Sequence, residues 1–378
     1  MRWSITAKSK TVKPLRIGEN TMKIMFYINT LAGGGAQRVM ANLANLFAQA
    51  GDEVIFVASF GAENEYALDA AVDRRNLSQE RIASGLKRNA VYIFGLRKLV
   101  KQEKPDVLVA FMRQPNIRAI LAGLGLPVKT LISVRCDPKE EYPGRAGRLL
   151  GKYLLPLADG CVFQTEQAKH WFPERLQNKS RVIPNAVKPV FFEVDPQPIP
   201  GRVITCGRLH PQKNHKLLID AFLDAAADIP EAELLIYGEG ELRQEMEAYI
   251  AEKCEAQRVK LMGNTSDVPG ALANAACFVL SSDYEGMPNA LMEAMAAGVP
   301  CISTDCPCGG PEMLIENGKS GLLVPVGDRD ALTAAIRKVL TDPETAQQLG
   351  KEARSAAENF LPEKIFAQWR QYLLDCCK

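Results

Sequence analysis

The 378-residue sequence has little of what membrane-spanning, zinc-binding and disulfide-stabilised secreted proteins require. No apolar run reaches the ~18 residues that a membrane-spanning helix needs. Only three histidines are present, and the ten cysteines include no C-x-x-C pair, which excludes the common zinc-ligand spacings. Residues 1–22 are polar and basic and lack the apolar segment of a secretory signal peptide. We therefore expect free thiols, no bound metal and no secretory leader.

Positive and negative charges are unevenly distributed along the chain, although the net charge is only +2. Residues 1–190 hold 29 Lys and Arg against 16 Asp and Glu, a balance of +13, whereas residues 191–378 have a balance of −11. Such asymmetry favours two domains, as does a length greater than that of one typical core. The positive charge of the first half also predicts an anionic partner for it, either nucleic acid or an anionic membrane surface.

Apolar segments that alternate with helical patterns predict an α/β protein with two Rossmann-like halves. In the first half, the strand at 23–29 is followed by a loop with three glycines, 33–35, and by an amphipathic helix. The G-x-G-x-x-G pattern of dinucleotide-binding proteins is absent, which disfavours a nicotinamide oxidoreductase. Residues 1–21 precede the first strand and are predicted to form a disordered or additional N-terminal tail. Further strands are expected to begin near Glu53, Asp106, Thr130, Gly160, Arg202, Glu233, Val259, Cys277 and Cys301.

The most informative stretch is S-S-D-Y-E-G-M-P-N-A-L-M-E-A-M-A-A-G-V-P-C-I-S-T, residues 281–304. A buried strand ends in a loop with Glu285 and Gly286, and Pro288 opens a helix that stops at a Gly-Val-Pro sequence. The N-terminus of this helix offers free N–H groups and a positive dipole end to a phosphate. Eight fully helical residues would separate Glu285 from Glu293 by about 12 Å. The two glutamates are therefore predicted to touch opposite parts of one extended ligand.

Two motifs in the second half resemble those of retaining, nucleotide-sugar-dependent glycosyltransferases of the GT-B fold. One is E-G-x-P-x-x-x-x-E-A-M-A-x-G-x-P, which matches the E-x7-E signature of that large family, and the other is G-R-L-x-x-Q-K-N. The run I-S-V-R-C-D-P in the first half is similar to a subgroup of bacterial capsule, exopolysaccharide and O-antigen transferases. The resemblance implies two Rossmann-like domains that face a central cleft. These are an acceptor-side domain at 22–190 and a nucleotide-sugar-binding domain at 201–378, joined by a linker at 191–200. The last helix is expected to cross back to the first domain.

The resemblance also implies roles for individual residues of the donor site. Arg208 and Lys213 would neutralise the nucleoside diphosphate as it departs, and such fixed cations can do so without a metal. Glu285 would contact the donor sugar, so these three residues are the predicted catalytic set. Glu293 would bind the ribose hydroxyls. The diphosphate would lie against the segment formed by Gly286, Met287, Pro288, Asn289 and Ala290.

The nucleotide base is expected to lie against the backbone near Gly238, Gly263 and Asn264. Backbone contacts leave little side-chain signature, so uracil, guanine and adenine are not separated by sequence. The first-domain loop with Gly34 and Gly35 would face the cleft near the donor phosphates.

Three further side chains of the first domain are candidates for donor or acceptor binding. They are Arg38, Arg135 and Asp137. Several relatives carry a histidine where Arg135 stands, and for Arg135 and Asp137 a structural role stays equally open.

Two basic and apolar segments in the first half are candidates for membrane contact. In one, Arg145, Arg148 and Lys152 alternate with leucines, and the other extends over residues 81–104. Each segment could be a core-packing helix with a solvated basic face, or an amphipathic helix at an anionic membrane surface.

These expectations describe a metal-independent, retaining transferase with no cofactor beyond its nucleotide-sugar co-substrate. It would move a hexose or N-acetylhexosamine, UDP-linked, to a hydroxyl of a polyprenyl-diphosphate-linked glycan in bacterial surface polysaccharide synthesis. A peripheral location at the cytoplasmic face of the membrane follows, and nucleic acid is not expected as a partner. The alternatives are a GT-B-fold sugar-nucleotide epimerase and a non-catalytic nucleotide-sugar-binding protein.

Overall fold

The computed structural model describes residues 21–82, 85–253, 255 and 257–378, so nearly all of the predicted tail at 1–21 lies outside the described residues. The first sheet contains seven strands: β1 Lys23–Ile28, β2 Glu53–Phe60, β3 Asp73–Ser78, β4 Val107–Phe111, β5 Lys129–Ser133, β6 Gly160–Phe163 and β7 Ser180–Val182. Their order in the sheet is β3-β2-β1-β4-β5-β6-β7, and the pairs with defined register are parallel. Most of these strands are apolar on both faces, as expected of a parallel sheet that is covered by helices on both sides.

Strand β3 was not among the predicted strands. Its sequence, D-R-R-N-L-S, is polar, and none of its residues is buried. It forms the edge of the sheet and pairs only with β2 among the described strands. Polar and charged residues are common on edge strands because they discourage pairing with other chains, and they remove the apolar signal on which strand prediction depends.

The second sheet contains six strands: β8 Arg202–Cys206, β9 Glu233–Tyr237, β10 Val259–Gly263, β11 Cys277–Leu280, β12 Cys301–Thr304 and β13 Leu322–Val324. Their order is β10-β9-β8-β11-β12-β13, again with parallel pairing. The order reverses between β8 and β11, and ligands of such sheets bind beyond the carboxyl ends of the strands at this point. The predicted α/β class with two Rossmann-like, parallel-sheet domains is therefore confirmed.

Helices connect the strands of both sheets. They are α1 Gly35–Gln49, α2 Leu86–Glu103, α3 Arg113–Gly123, α4 Pro138–Glu141, α5 Gly144–Leu149, α6 Glu166–His170, α7 Glu174–Gln177, α8 Pro189–Phe192, α9 His215–Ala225, α10 Arg243–Glu252, α11 Val268–Ala273, α12 Asn289–Ala296, α13 Gly310–Leu314, α14 Arg329–Thr341, α15 Pro343–Ala357 and α16 Pro362–Cys377. A π-helical segment, Leu150–Leu154, and a 3-10 turn, Leu155–Leu157, continue α5. Within the described part of the chain, no helix is both long enough and apolar enough to cross a bilayer. All nine described cysteines carry free thiols.

The chain divides into two compact units. The first comprises the described residues up to Ala110 and Arg118–Thr130, and the second comprises Phe111–Ile117 and Leu131–Lys378. The core of the first unit includes Met25, Tyr27, Ile55, Val57, Leu96, Val100, Leu108 and Ala119. The main core of the second unit includes Val203, Leu218, Phe222, Leu234, Ile236, Met246, Val279, Ile302, Leu332 and Ile336.

The last helix, α16, packs on strands of the first sheet. The hydroxyl of Tyr372 accepts a hydrogen bond from the backbone N–H of Cys161 at 2.8 Å and donates to the carbonyl of Lys179 at 2.6 Å. The ring centroid of Trp369 lies 5.7 Å from that of Phe111. A Cβ atom at Gly160 would lie 2.4 Å from the Tyr372 hydroxyl, so this close approach requires glycine. The end of the chain is therefore hydrogen-bonded to residues 193 and 211 positions earlier.

Candidate active site

The loop after β11 positions Glu285. Glu285 is 7 % exposed as a residue, and its carboxylate accepts a hydrogen bond from the Ser282 hydroxyl at 2.7 Å. Oε1 also forms an ion pair with Nζ of Lys213. A buried carboxylate needs such partners, because desolvation penalises an unpaired charge. The structure therefore brings together two of the predicted catalytic residues, which are 72 positions apart in the sequence.

Lys213 ends a 3-10 turn, Pro211–Lys213, that follows β8. The turn is tied to the Glu285 loop through three contacts. The hydroxyl of Ser281 donates to the Lys213 carbonyl at 2.8 Å, the N–H of Asp283 donates to the Gln212 carbonyl at 2.9 Å, and the Gln212 amide donates to the Tyr284 carbonyl at 2.8 Å. These contacts fix the backbone of the turn against the Glu285 loop, and the ion pair with Glu285 holds the ammonium group.

His215 supports the backbone of the same region. It is 4 % exposed, and burial lowers its pKa to about 4, so the ring is neutral near pH 7. Its Nε2 lies 3.2 Å from the carbonyl oxygen of Arg208. A carbonyl only accepts hydrogen bonds, so the contact requires the proton on Nε2. The Arg208 side chain itself is exposed and lies on the loop between β8 and the 3-10 turn.

Helix α12 begins at Asn289, with Pro288 as the preceding N-cap residue. Its first N–H groups have no partner within the helix and form the predicted phosphate site. Gly286 is packed too closely for any side chain. A Cβ atom there would lie 2.6 Å from the Arg135 carbonyl oxygen and 2.7 Å from Oε1 of Gln164.

Met287 lies within the same short segment, between Gly286 and Pro288, and Ala290 is in the first turn of α12. Glu293 is on the same helix and is 7 % exposed. Its charge adds to the effect of burial in raising the pKa of Cys206, at the end of β8, to about 12. The structure therefore places the Glu293 carboxylate toward the carboxyl end of β8, in the half of the sheet where the order of the strands reverses.

The segment after β5 holds Arg135 and Asp137. One Nη of Arg135 donates to Oδ1 of Asn185, and the guanidinium lies 4.5 Å from the ring centroid of Phe111. Burial lowers the pKa of Arg135 to about 9. Asp137 caps α4 by accepting from the N–H of Lys139 at 2.9 Å, so its side chain has a structural partner.

Glu141 is a further buried carboxylate in this segment that sequence reasoning did not single out. It accepts from the N–H groups of Arg135 at 2.8 Å and Cys136 at 3.1 Å. Burial raises its pKa to about 7. Residues 135–141 therefore form one tight loop. Its sequence from Cys136, C-D-P-K-E-E, contains an Asp-Pro pair of the kind that starts helices, and this signal could have pointed to the loop.

The predicted base pocket lies at the ends of β9 and β10. The N–H of Gly238 donates to the carbonyl of Gly263 at 2.8 Å, and Asn264 is exposed. Gly238 has φ 133°, and a Cβ atom there would lie 1.9 Å from the Gly207 carbonyl oxygen. The backbones at the ends of β8, β9 and β10 therefore approach one another closely at Gly207, Gly238 and Gly263.

The glycine loop of the first unit follows β1. Gly34 has φ 80° and precedes α1, which begins at Gly35. Arg38 is on the first turn of α1, and its N–H donates to the Gly34 carbonyl at 3.4 Å. The first N–H groups of α1 have no partner within the helix.

The α5 surface is defined as α5 and its π-helical and 3-10 continuation. Arg145, Arg148 and Lys152 are all exposed on it. Three large apolar residues are exposed between and beyond them, and sequence reasoning did not separate these from the buried leucines. They are Leu149 at 57 %, Tyr153 at 61 % and Leu157 at 44 %.

In the first unit, α2 likewise exposes Phe94, at 70 %, with Lys98 on the same exposed side. Single exposed apolar residues are common on protein surfaces, whereas large apolar patches rimmed by polar residues are typical of interaction sites. Among the described residues, no group of three or more His, Cys, Asp or Glu side chains is arranged to hold a metal ion.

Two family models match consecutive parts of the chain. The model of Glycosyltransferase Family 4 matches residues 33–191, and the model of Glycosyl transferases group 1 matches residues 192–356. The boundary between the two matches falls between the two sheets.

Curated relatives match between about two thirds and nearly all of the chain. A Campylobacter jejuni GalNAc-alpha-(1->4)-GalNAc-alpha-(1->3)-diNAcBac-PP-undecaprenol alpha-1,4-N-acetyl-D-galactosaminyltransferase is 28 % identical over 365 residues, which are 94 % of this chain and 99 % of the relative. An Escherichia coli UDP-Gal:alpha-D-GlcNAc-diphosphoundecaprenol alpha-1,3-galactosyltransferase is 27 % identical over 293 residues, 71 % of this chain and 74 % of the relative.

Solved structures share the fold. Sucrose-phosphate synthase from Thermosynechococcus elongatus superimposes with a TM-score of 0.80 at 19 % identity, covering 94 % of this chain and 98 % of that one. Anabaena Alr3699/HepE, solved with UDP and glucose, gives a TM-score of 0.77 at 18 % identity, covering 94 % and 100 %.

Proposed function

The chain belongs to the GT-B glycosyltransferases, and from this we propose that it is a retaining, metal-independent enzyme that uses a nucleotide-diphosphate sugar, UDP-linked, as donor. The transferred group is a hexose or N-acetylhexosamine. The acceptor is a hydroxyl group of a lipid-linked oligosaccharide in bacterial surface polysaccharide synthesis.

The observation that carries this proposal is the juxtaposition of Lys213, Glu285 and the first turn of α12 at the carboxyl ends of β8 and β11. Transfer of a sugar releases a nucleoside diphosphate, and its developing charge is stabilised best by groups that are already fixed in place. Lys213 supplies an ammonium group fixed by its ion pair, Arg208 supplies an exposed guanidinium, and the helix N-terminus supplies backbone donors. Glu285 would face the donor sugar, and Glu293 would bind the ribose hydroxyls.

The chemical step exchanges one C–O bond for another. The bond between the anomeric carbon and the departing phosphate oxygen breaks, and a bond from the same carbon to the acceptor oxygen forms on the same face. The acceptor proton moves to the departing phosphate. Because Lys213 and the N-terminus of α12 stabilise the phosphate as it leaves, no additional cofactor takes part in this step.

The names of two relatives support the acceptor class. Both act on sugars attached through a diphosphate to undecaprenol. An acceptor of this kind is held in a membrane, so the enzyme must work at the membrane surface. We assign this contact to the α5 surface, where Arg145, Arg148 and Lys152 flank exposed apolar side chains. Each basic residue near an anionic leaflet contributes about 1 kcal/mol to the free energy of membrane binding. The apolar side chains contribute further by entering the headgroup region. The resulting location is peripheral, at the cytoplasmic face.

The direct test is a donor screen with a short polyprenyl-diphosphate-linked N-acetylhexosamine as acceptor. UDP-hexoses, UDP-N-acetylhexosamines and GDP-mannose are compared with and without EDTA, and products are identified by mass spectrometry and by the anomeric NMR coupling. We expect one UDP-sugar to give an α-linked product from an α-linked donor, with EDTA having no effect. Interconversion of UDP-sugars without acceptor would instead establish an epimerase, and binding without turnover a non-catalytic protein.

Membrane contact is tested separately by flotation with vesicles that contain phosphatidylglycerol. Charge reversal of Arg145, Arg148 and Lys152 to Glu should abolish flotation, while transfer to a water-soluble acceptor analogue stays intact. Reversal of three exposed lysines outside both basic segments, Lys338, Lys351 and Lys364, to Glu serves as the control with the same change of charge. Flotation that survives the triple change would remove the α5 surface from the proposal.

A further inference from the structure

A chain of buried amide side chains joins the first-sheet strands β5, β6 and β7 to the N-terminus of α12. Its central member is Asn185, which is 2 % exposed and follows β7, and its second member is Gln164, which is 3 % exposed and directly follows β6. Neither residue carries charge, and the sequence marks neither as functional. All of these residues belong to the second unit.

Each polar atom of the Asn185 amide has a partner that fixes its orientation. Oδ1 accepts from Nε2 of Gln164 at 3.0 Å and from a guanidinium N–H of Arg135. Nδ2 donates to Oδ1 of Asn289, the first residue of α12, at 2.7 Å. Rotating the amide by 180° would place its N–H groups against two donors, so the neighbours permit one orientation only.

Gln164 closes the network onto the same turn. Its Oε1 accepts from the backbone N–H of Met287 at 3.3 Å, while its Nε2 is held by Asn185. The segment from Met287 to Asn289 is therefore hydrogen-bonded at both ends, to Gln164 at Met287 and to Asn185 at Asn289. A helix start that lacks a side-chain cap of its own gains a fixed position in this way.

We propose that Asn185 is a positioning residue of the donor site, which sets the position and orientation of the first turn of α12 through Asn289 and Gln164. The inference rests on the proposed function, because it assigns that turn to the donor diphosphate. Asn185 itself touches no substrate in this account. It acts by holding N–H donors in place before the phosphate arrives, since small displacements of such groups cost large factors in binding and rate.

A merely structural role and a positioning role predict different effects on phosphate recognition. Loss of folding stability would weaken binding of UDP and of uridine by the same factor. Displacement of the α12 turn would weaken the binding of UDP, which carries the diphosphate, and leave the binding of uridine unchanged. The ratio of the two affinities therefore separates the roles.

The experiment measures UDP and uridine affinity by calorimetry and competition NMR for the wild-type chain, Asn185→Leu and Asn185→Asp. Asn116→Leu is the matched control, because Asn116 is also fully buried but its amide donates to the Ser133 carbonyl at 2.8 Å and to the Tyr142 hydroxyl at 3.3 Å, and neither partner belongs to α12. We expect Asn185→Leu to weaken UDP at least about ten-fold and uridine less than about two-fold. Asn185→Asp should recover part of the UDP affinity, because the Asn289 amide can turn and donate to the new carboxylate.

Outcomes other than these overturn the inference. An unchanged UDP-to-uridine ratio in Asn185→Leu, or an equal change in Asn116→Leu, would show that Asn185 only supports the fold. If Asn185→Leu does not fold, Asn185→Asp and Asn116→Asp give the same comparison with less disruption. A wild-type chain that does not bind UDP would instead refute the proposed function, and the positioning role with it.

Discussion

Replacing Lys213 with methionine removes the ammonium group but keeps most of the apolar length of the side chain. Glu285 then retains only the Ser282 hydroxyl at 2.7 Å and the Gln212 amide at 3.4 Å among its described partners. Breaking a fully buried ion pair from one side costs about 3–5 kcal/mol. The side chains of Lys213 and Glu285 are 17 % and 9 % exposed, so solvent screens part of this, and we expect unfolding free energy to fall by about 2–3 kcal/mol. Loss of one fixed group at the departing phosphate should lower kcat by about 10²–10³-fold.

A double-mutant cycle separates the two effects. Glu285→Gln alone leaves Lys213 without its carboxylate, whereas Lys213→Met with Glu285→Gln leaves no uncompensated charge. We expect the double variant to regain most of the lost free energy of unfolding, as measured by urea unfolding. Its rate of sugar transfer, measured as UDP formed, should stay as low as that of the less active single variant. Full transfer activity in Lys213→Met would refute the assignment of the diphosphate to this cation. A double variant no more stable than Lys213→Met would refute the energetic reasoning.

Two further predictions concern the neighbouring loops. Burial raises the pKa of Glu141 from 4.5 to about 7, so between these values the folded protein holds a proton that the unfolded chain releases, and stability falls as pH rises through that window. In wild type the thermal midpoint should fall between about pH 5 and pH 8, and in Glu141→Gln this fall should be smaller. An equal fall in both proteins would show that Glu141 is not its cause. Gly286→Ala should displace the loop from Arg135 and Gln164 and weaken UDP binding at least about ten-fold. Gly95→Ala on α2, whose added Cβ meets nothing closer than 3.6 Å, should bind UDP normally, and equal affinities in both variants would refute the steric argument.

The fold was predictable because most strands are continuous apolar runs and most helix limits carry Gly or Pro signals. The strand at Cys277–Leu280 and the helix stop near Gly298 are examples. The polar edge strand β3 was missed, since its stability depends on pairing with β2 and not on its own composition. Fold and family could thus be inferred from local patterns.

The sequence predicted several residues of the candidate site but not the contacts between them. Sequence motifs selected Lys213 and Glu285 separately, but their ion pair depends on how two loops fold at the end of one sheet. Asn185 and Gln164 escaped notice because uncharged amides have no distinctive spacing, and their importance arises from burial. Asp137 was considered for ligand binding, and its side chain caps a helix.

The hydrogen bonds between Tyr372 and the strand at Gly160–Phe163 have a consequence for biosynthesis. Residues 161 and 372 are 211 positions apart, so β6 receives this partner only after the ribosome has made almost the entire chain. Domains generally fold as units while synthesis proceeds. Here the first sheet cannot complete its packing at β6 and β7 until α16 has left the exit tunnel. A premature stop before Tyr372 would therefore damage the N-terminal half of the protein, whose own codons are intact.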